Sequence, residues 1–181
     1  MKRTFLLLLM FQFSMVGMCK ESDSPVEYIS KFYRLYLSYN YKKSSDPRPK
    51  IDLSKSFSSV VKINEEKCKK YADYPCGWGA DGDEYLDAQE TDQELTYENS
   101  GITISEISPG VVKVELNVYP SIKDAGNFYL KVITYKMVKQ SGAWVVDDVV
   151  YSDNKSMKQV LTEETKEVER LYNENRAIKQ R

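Results

Sequence analysis

Four carboxylates, Asp81, Asp83, Asp87 and Glu90, fall within ten residues of one another in the stretch CGWGADGDEYLDAQE at 76–90. Carboxylate oxygens are hard ligands, the kind a calcium ion takes. The spacing argues against that use. An EF-hand loop places acids at alternate positions, then a glycine, then a closing glutamate. Here Gly82 separates the first two acids, and Tyr85 occupies the third alternate position. A carboxylate can also act as a general base, which requires apolar walls that raise its pKa and a tyrosine donor beside it. Asp87, Asp147 and Asp148 could be cast in that role. Acids in polar runs stay hydrated, however, and nothing in the pattern marks one of them as buried. The chain has no histidine, which removes Ser-His-Asp and Cys-His catalysis and histidine-ligated zinc or iron. No catalytic residue, metal or other cofactor is therefore assigned.

The third use of the segment is structural. Asp81 followed by Glu84 is a capping-box pattern. Gly82, Asp83 and Glu84 then fill a first turn, where negative charge suits the helix dipole. Tyr85, Leu86 and Gln89 share one face, with Tyr85 and Leu86 docked on a sheet and Gln89 free to hydrogen-bond backbone. Gly77 and Gly79 give the turn around Trp78 its flexibility. The segment reads as a tethered turn leading into a short capped helix, because local capping chemistry accounts for most of its residues.

The tether is a cysteine pair. Residues 1–19, MKRTFLLLLMFQFSMVGMC, carry Lys2 and Arg3, an apolar run and a small-residue end, the pattern of a secretory signal peptide. The run is shorter than the roughly 20 apolar residues of a membrane span. Val16-Gly17-Met18-Cys19 resembles a lipobox, with Met18 where Gly, Ala or Ser is usual. Two outcomes stay open: lipidation at Cys19 with residues 20–24 as a short tether, or ordinary cleavage that yields a soluble periplasmic chain. In an oxidising compartment the remaining pair, Cys68 and Cys76, is expected to form a disulfide.

These residues need elements to position them. Ser24, Pro25 and Glu27 start a helix whose apolar stripe is Val26, Ile29, Phe32, Tyr33, Tyr36 and Leu37. After the break YKKSSDPRPK, a second helix is expected from Asp52, with Leu53, Phe57, Val60 and Val61 inward. KINEEKCKKYAD reads as a further, exposed helical turn. From residue 101 the period becomes two. ITISEI, VVKVELNVYP, NFYLKVITYKMVK and AWVVDDVVY read as four strands joined by short connections, an antiparallel meander. The third is apolar on both faces and is placed centrally. Ser156 and Gln159 open a last helix, and 162–181 is a charged helical tail. Helices first and strands afterwards make the class α+β. At 181 residues, 41% hydrophobic and 29% charged, the chain suits one globular domain, here 25–161. The formal charge of −1 shows no basic stripe for nucleic acid.

Taken in order, the FYRLYL helix, DGDEYLDAQE and WVVDDVVYSDNKSMKQVL resemble the exported and lipid-anchored bacterial family typified by the YbjP lipoprotein. The matching residues are Asp81, Asp83, Tyr85, Ala88, Gln89 and Glu90, then Trp144, Asp148, Tyr151 and Leu161. The resemblance spans roughly 25–161 and implies an NTF2-like (cystatin-like) cone, with a curved sheet of about four strands wrapped on the N-terminal helix. It implies no activity, since the family has no established one. Sheets of this fold often pair, so a homodimer is an allowed assembly. The expectation is an exported envelope protein that binds a protein partner or a small ligand. It could act as an immunity-like protein or inhibitor of a periplasmic enzyme. The alternatives are a small-ligand carrier, or a carboxylate-based isomerase or hydrolase in the cone.

Overall fold

The computed structural model describes residues 24–42, 47–123, 126 and 128–179. The expected signal segment 1–19, with Cys19, and residues 20–23 of the tether lie outside the described residues.

The first helix, α1, runs Pro25–Lys42. Its start follows from the residues: Ser24 Oγ accepts from Glu27 N at 3.1 Å, and Pro25 needs no partner at the first helical position. Its apolar stripe is buried, with Ile29, Tyr33, Tyr36 and Leu37 fully enclosed. The second helix, α2, runs Lys55–Tyr71. It begins three residues later than the pattern predicts, because residues 52–54 are extended against another strand. Val146 N donates to Asp52 O at 2.8 Å and Ser54 N to Val146 O at 2.7 Å. Ser54 then caps the helix, its Oγ accepting from Phe57 N at 3.0 Å. The stretch expected as a separate exposed turn is the continuous second half of α2.

Four strands follow: β1 Thr103–Ser108, β2 Val111–Asn117, β3 Leu130–Gln140 and β4 Ala143–Val150. They form an antiparallel sheet in the order β1-β2-β3-β4, so β3 is interior, as expected, but only one of its faces is buried: Ile133, Tyr135 and Met137 are enclosed, whereas Lys136 and Val138 on the other face are exposed. In β2 the alternation is strict: Val112, Val114 and Leu116 are fully buried between half-exposed neighbours. Each such side chain contributes roughly 1.5–3 kcal/mol when taken from water. The register of β3 on β4 skips Asp147: Lys136 faces Asp148, and Met137 faces Val146. A bulge of this kind re-aims the extra side chain.

The last helix, α3, runs Met157–Lys179 without a break at the expected boundary of 161. Buried Val168 and the contacts of Asn64 tie its length to α2. Asn64 Nδ2 donates to Leu161 O at 3.2 Å and to Glu164 Oε2 at 2.8 Å. One hydrophobic cluster takes residues from α1, α2, α3 and one face of the sheet. The class is α+β, with three helices and one open four-stranded antiparallel sheet among the described residues. No helix among the described residues is long and apolar enough to cross a membrane.

Candidate functional site

Segment 76–90 is a chain of turns, not a helix. Ala80 N donates to Gly77 O at 3.0 Å, Gly82 N to Gly79 O at 3.2 Å, and Asp87 N to Asp83 O at 2.9 Å. Asp83 N closes the loop onto Ala88 O at 2.8 Å. The capping residue is Asp83, whose Oδ1 accepts from Tyr85 N at 2.9 Å and Leu86 N at 3.1 Å. Asp81, expected as the cap, is exposed. Gly82 is required by close approach, since a Cβ there would stand 2.6 Å from Ala88 O. Asp87 has φ 50°, a left-handed conformation that costs a non-glycine residue about 1 kcal/mol and ends the turn.

Long-range partners explain why the helix does not propagate. The Tyr151 hydroxyl donates to Glu84 O at 2.6 Å, and the Tyr33 hydroxyl to Tyr85 O at 2.7 Å. A continuing helix would offer those carbonyls to Ala88 and Gln89. Tyrosines from α1 and the end of β4 engage them instead. Behind them, the Tyr33 and Tyr135 hydroxyls bond to each other at 2.8 Å, and Trp78 Nε1 donates to the Tyr151 hydroxyl at 2.7 Å. Burial raises the Tyr33, Tyr135, Tyr151 and Tyr85 hydroxyls above the ordinary phenol range. They are neutral hydrogen-bonding groups, holding the loop that carries the acids.

Asp83 is anchored on its other oxygen as well. The Tyr36 hydroxyl reaches Oδ2 at 2.6 Å, and Arg48 Nη2 reaches the same atom at 2.8 Å. The Arg48 guanidinium also lies 3.5 Å from Glu84 Oε2 and stacks 4.8 Å from the Tyr36 ring centroid. Sequence reasoning missed Arg48, which sat in the polar break. The available signal was its position between Pro47 and Pro49, which hold an arginine on a stiff, extended strap.

Cys68 and Cys76 form a disulfide, Cα–Cα 5.8 Å, between the last turn of α2 and the start of the loop. Glu164 of α3 supports it, accepting from Gly77 N at 3.0 Å. Among the described residues the one group of three metal-capable side chains close together is Cys68, Cys76 and Glu164. Its sulfurs are spent in the disulfide, which leaves no thiolate to ligate. Asp81, Asp83, Asp87 and Glu90 do not converge.

The other candidates separate. Tyr85 and Leu86 are buried as expected, whereas Gln89 is exposed at a rim instead of sharing their face. Trp144 lies elsewhere, its ring near Gly110 and 5.2 Å from the Lys139 ammonium. Asp147, aimed by the bulge, bonds to Ser54 Oγ at 2.6 Å, Ser56 Oγ at 2.9 Å and Lys158 Nζ at 2.8 Å. Burial pushes its carboxyl up, but those donors together outweigh it and hold it below the usual range. Asp148 is buried beneath Lys136 Nζ at 3.1 Å and accepts from Lys158 N at 3.2 Å. Both acids fasten β4 to the start of α3.

Among the described residues, a groove of about 700 Å³ opens between the loop, the ends of the β2–β3 connection, and the first half of α3. Trp78, Tyr119, Phe128 and Tyr129 are aromatic walls, and Asp81, Asp87 and Glu90 bring carboxylates. Burial raises the Asp87 carboxyl above its ordinary range; nearby Lys131 offsets part of this and Asp153 adds to it. Comparison of the chain with family models, with curated proteins and with solved structures finds no match in any of the three.

Proposed function

We propose that this chain is an exported cell-envelope protein, built on an NTF2-like (cystatin-like) cone of the YbjP type, that binds a partner protein and turns over no substrate. The observation that carries this reading is where the open space lies. A carrier or a carboxylate isomerase needs a chamber between sheet and helices. That space is filled by Tyr33, Tyr36, Phe57, Leu86 and Tyr135, all with no exposed surface. The hydroxyls that a proton-transfer site would use are already engaged: Tyr33 with Tyr135 and with Tyr85 O, Tyr151 with Trp78 and with Glu84 O. Open volume lies outside that packed interior: in the acidic and aromatic groove, and in a second depression of about 580 Å³ between the end of α2 and the second half of α3. The acidic, aromatic groove is the surface expected of an immunity-like or inhibitory protein that occludes its target. Phe128, 80% exposed at its edge, is an apolar side chain that association would bury.

The test is photocrosslinking in the producing cell, with p-benzoylphenylalanine replacing Phe128 and, as a control, exposed Leu35 on α1. The expected result is a single envelope-protein adduct from position 128, absent from position 35 and lost when Asp81 and Glu90 are changed to lysine. No adduct at 128 beyond that at 35 would dispose of the reading.

A further inference from the structure

The groove's lining points to the chemistry of what enters it, an inference that rests on the binding role just proposed. We propose that the groove receives an arginine side chain from the partner, its guanidinium against the Asp87 carboxylate and its stem along the aromatic wall of Tyr119, Tyr129 and Phe128.

Three observations converge. The first is shape: about 700 Å³ lies within the range of concave ligand sites and leaves room for a guanidinium and its stem. The second is the wall. The Tyr119 and Tyr129 rings lie 4.6 Å apart and Phe128 meets Tyr129 edge-on at 4.9 Å, a continuous aromatic surface beside the acids. A guanidinium is planar and weakly hydrated, so it stacks on such rings more readily than an ammonium does. The third is Asp87. It is half-buried in a left-handed turn, and among the described residues no direct hydrogen bond or salt bridge to its carboxylate is found; the Lys131 ammonium acts on it without contact. Lys131 is the one basic side chain lining the groove among the described residues, against several carboxylates.

The same molecule already satisfies this donor set once. On the inner side of the loop, Arg48 pairs with Asp83 at 2.8 Å and lies over the Tyr36 and Tyr85 rings at 4.8 and 5.8 Å. Arg34 likewise covers the Tyr97 ring at 4.0 Å. A carboxylate with flanking aromatic faces is thus filled by arginine within this molecule. The groove lining combines the same two group types, carboxylates that include Asp87 and the rings of Tyr119, Phe128 and Tyr129.

The two tryptophans allow a test with an internal control, because Trp78 lines the groove and Trp144 does not. The ¹⁵N-labelled full chain is titrated with Nα-acetyl-arginine methylamide, with the citrulline analogue, which keeps the shape and removes the charge, and with the lysine analogue. The expected result is a saturable shift of the Trp78 indole resonance with Trp144 unmoved, and affinity for arginine about tenfold or more above citrulline. Asp87→Asn, a residue type that also tolerates the left-handed turn, should lose that preference while keeping the rest of the spectrum. Citrulline binding as well as arginine, an unchanged preference in Asp87→Asn, tighter binding of lysine, or no saturable shift would each overturn the proposal. If the crosslink at position 128 persists while the arginine probe fails, the ligand class falls and the binding role stands.

Discussion

The Tyr36 hydroxyl donates to Asp83 Oδ2 across 2.6 Å, joining residues 47 apart in the chain, and Arg48 shares the same oxygen. The other oxygen of Asp83 organises the loop, so one carboxylate links α1, the proline strap and segment 76–90. Asp83→Ala removes the acceptor for a guanidinium, a phenol and two backbone N–H groups. The expected loss is about 2–4 kcal/mol, because the Tyr36 hydroxyl and the two N–H groups lose their acceptor in a partly buried place, while Arg48 keeps the Glu84 carboxylate. Tyr36→Phe removes one donor and should cost about 1 kcal/mol. Urea unfolding of the two variants checks the order.

The buried pair of Tyr33 and Tyr135 is asymmetric. The Tyr33 hydroxyl donates to Tyr85 O, so its link to Tyr135 is accepted from the Tyr135 hydroxyl. Tyr33→Phe strands both the Tyr85 carbonyl and the Tyr135 hydroxyl, and should cost about 1–3 kcal/mol. Tyr135→Phe leaves the Tyr33 bond to Tyr85 intact and should cost about 0.5–1.5 kcal/mol. Equal losses in thermal denaturation would refute this assignment of donors.

Two acids should give opposite pH behaviour. Asp147 has a lowered folded-state pKa, since donors from Lys158, Ser54 and Ser56 outweigh its burial. Its contribution is complete above the unfolded carboxyl value of about 3.9 and is lost as pH falls through the folded value. Asp147→Asn should therefore be destabilised at neutral pH, by less than about 1 kcal/mol for a pair this exposed, with the difference shrinking in acid. Asp87 has a raised folded-state pKa through burial. Its charged form opposes folding above that folded value, and the penalty disappears below about pH 3.9. Asp87→Asn should be more stable than the parent at neutral pH and equal to it in acid. Midpoints of thermal melts across that range read both signs.

The Cys68–Cys76 disulfide closes a span of 8 residues. Replacing both cysteines by serine should cost about 2–3 kcal/mol, chiefly by freeing the unfolded chain. Non-reducing peptide mapping of the parent should recover the linked peptide, and the variant's thermal midpoint should fall. A midpoint unchanged in the variant would mean that the Glu164 carboxylate, which accepts from Gly77 N and is itself held by Asn64, suffices to hold the loop entry.

What the sequence determined by itself is the set of elements whose signals are local. Ser24, Pro25 and Glu27 start α1 where they stand, because a cap is made by residues three apart. The alternation from Val111 to Asn117 makes β2, since the side-chain period of a strand is carried in adjacent residues, and tight turns at 109–110 and 141–142 close the two outer hairpins, whereas the β2–β3 connection, 118–129, is longer than the pattern predicts. The pairing of Cys68 with Cys76 was open to a count, since they are the two cysteines that follow Cys19. The start of α2 was not legible, because Asp52, Leu53 and Ser54 are extended only by pairing with Val146, nearly a hundred residues on. Segment 76–90 is the sharper case. Its local rules permit a capped helix, and only the tertiary structure decides against one. Hydroxyls of Tyr33 and Tyr151, brought from α1 and the end of β4, bond to the Glu84 and Tyr85 carbonyls that further helical turns would use. The same tertiary packing buries Tyr85 and Leu86, ties up Asp83, and leaves Asp87 facing the groove. Which of several adjacent acids is anchored and which is presented depends on partners distant in the chain, and those are positioned only when the sheet and helices close together.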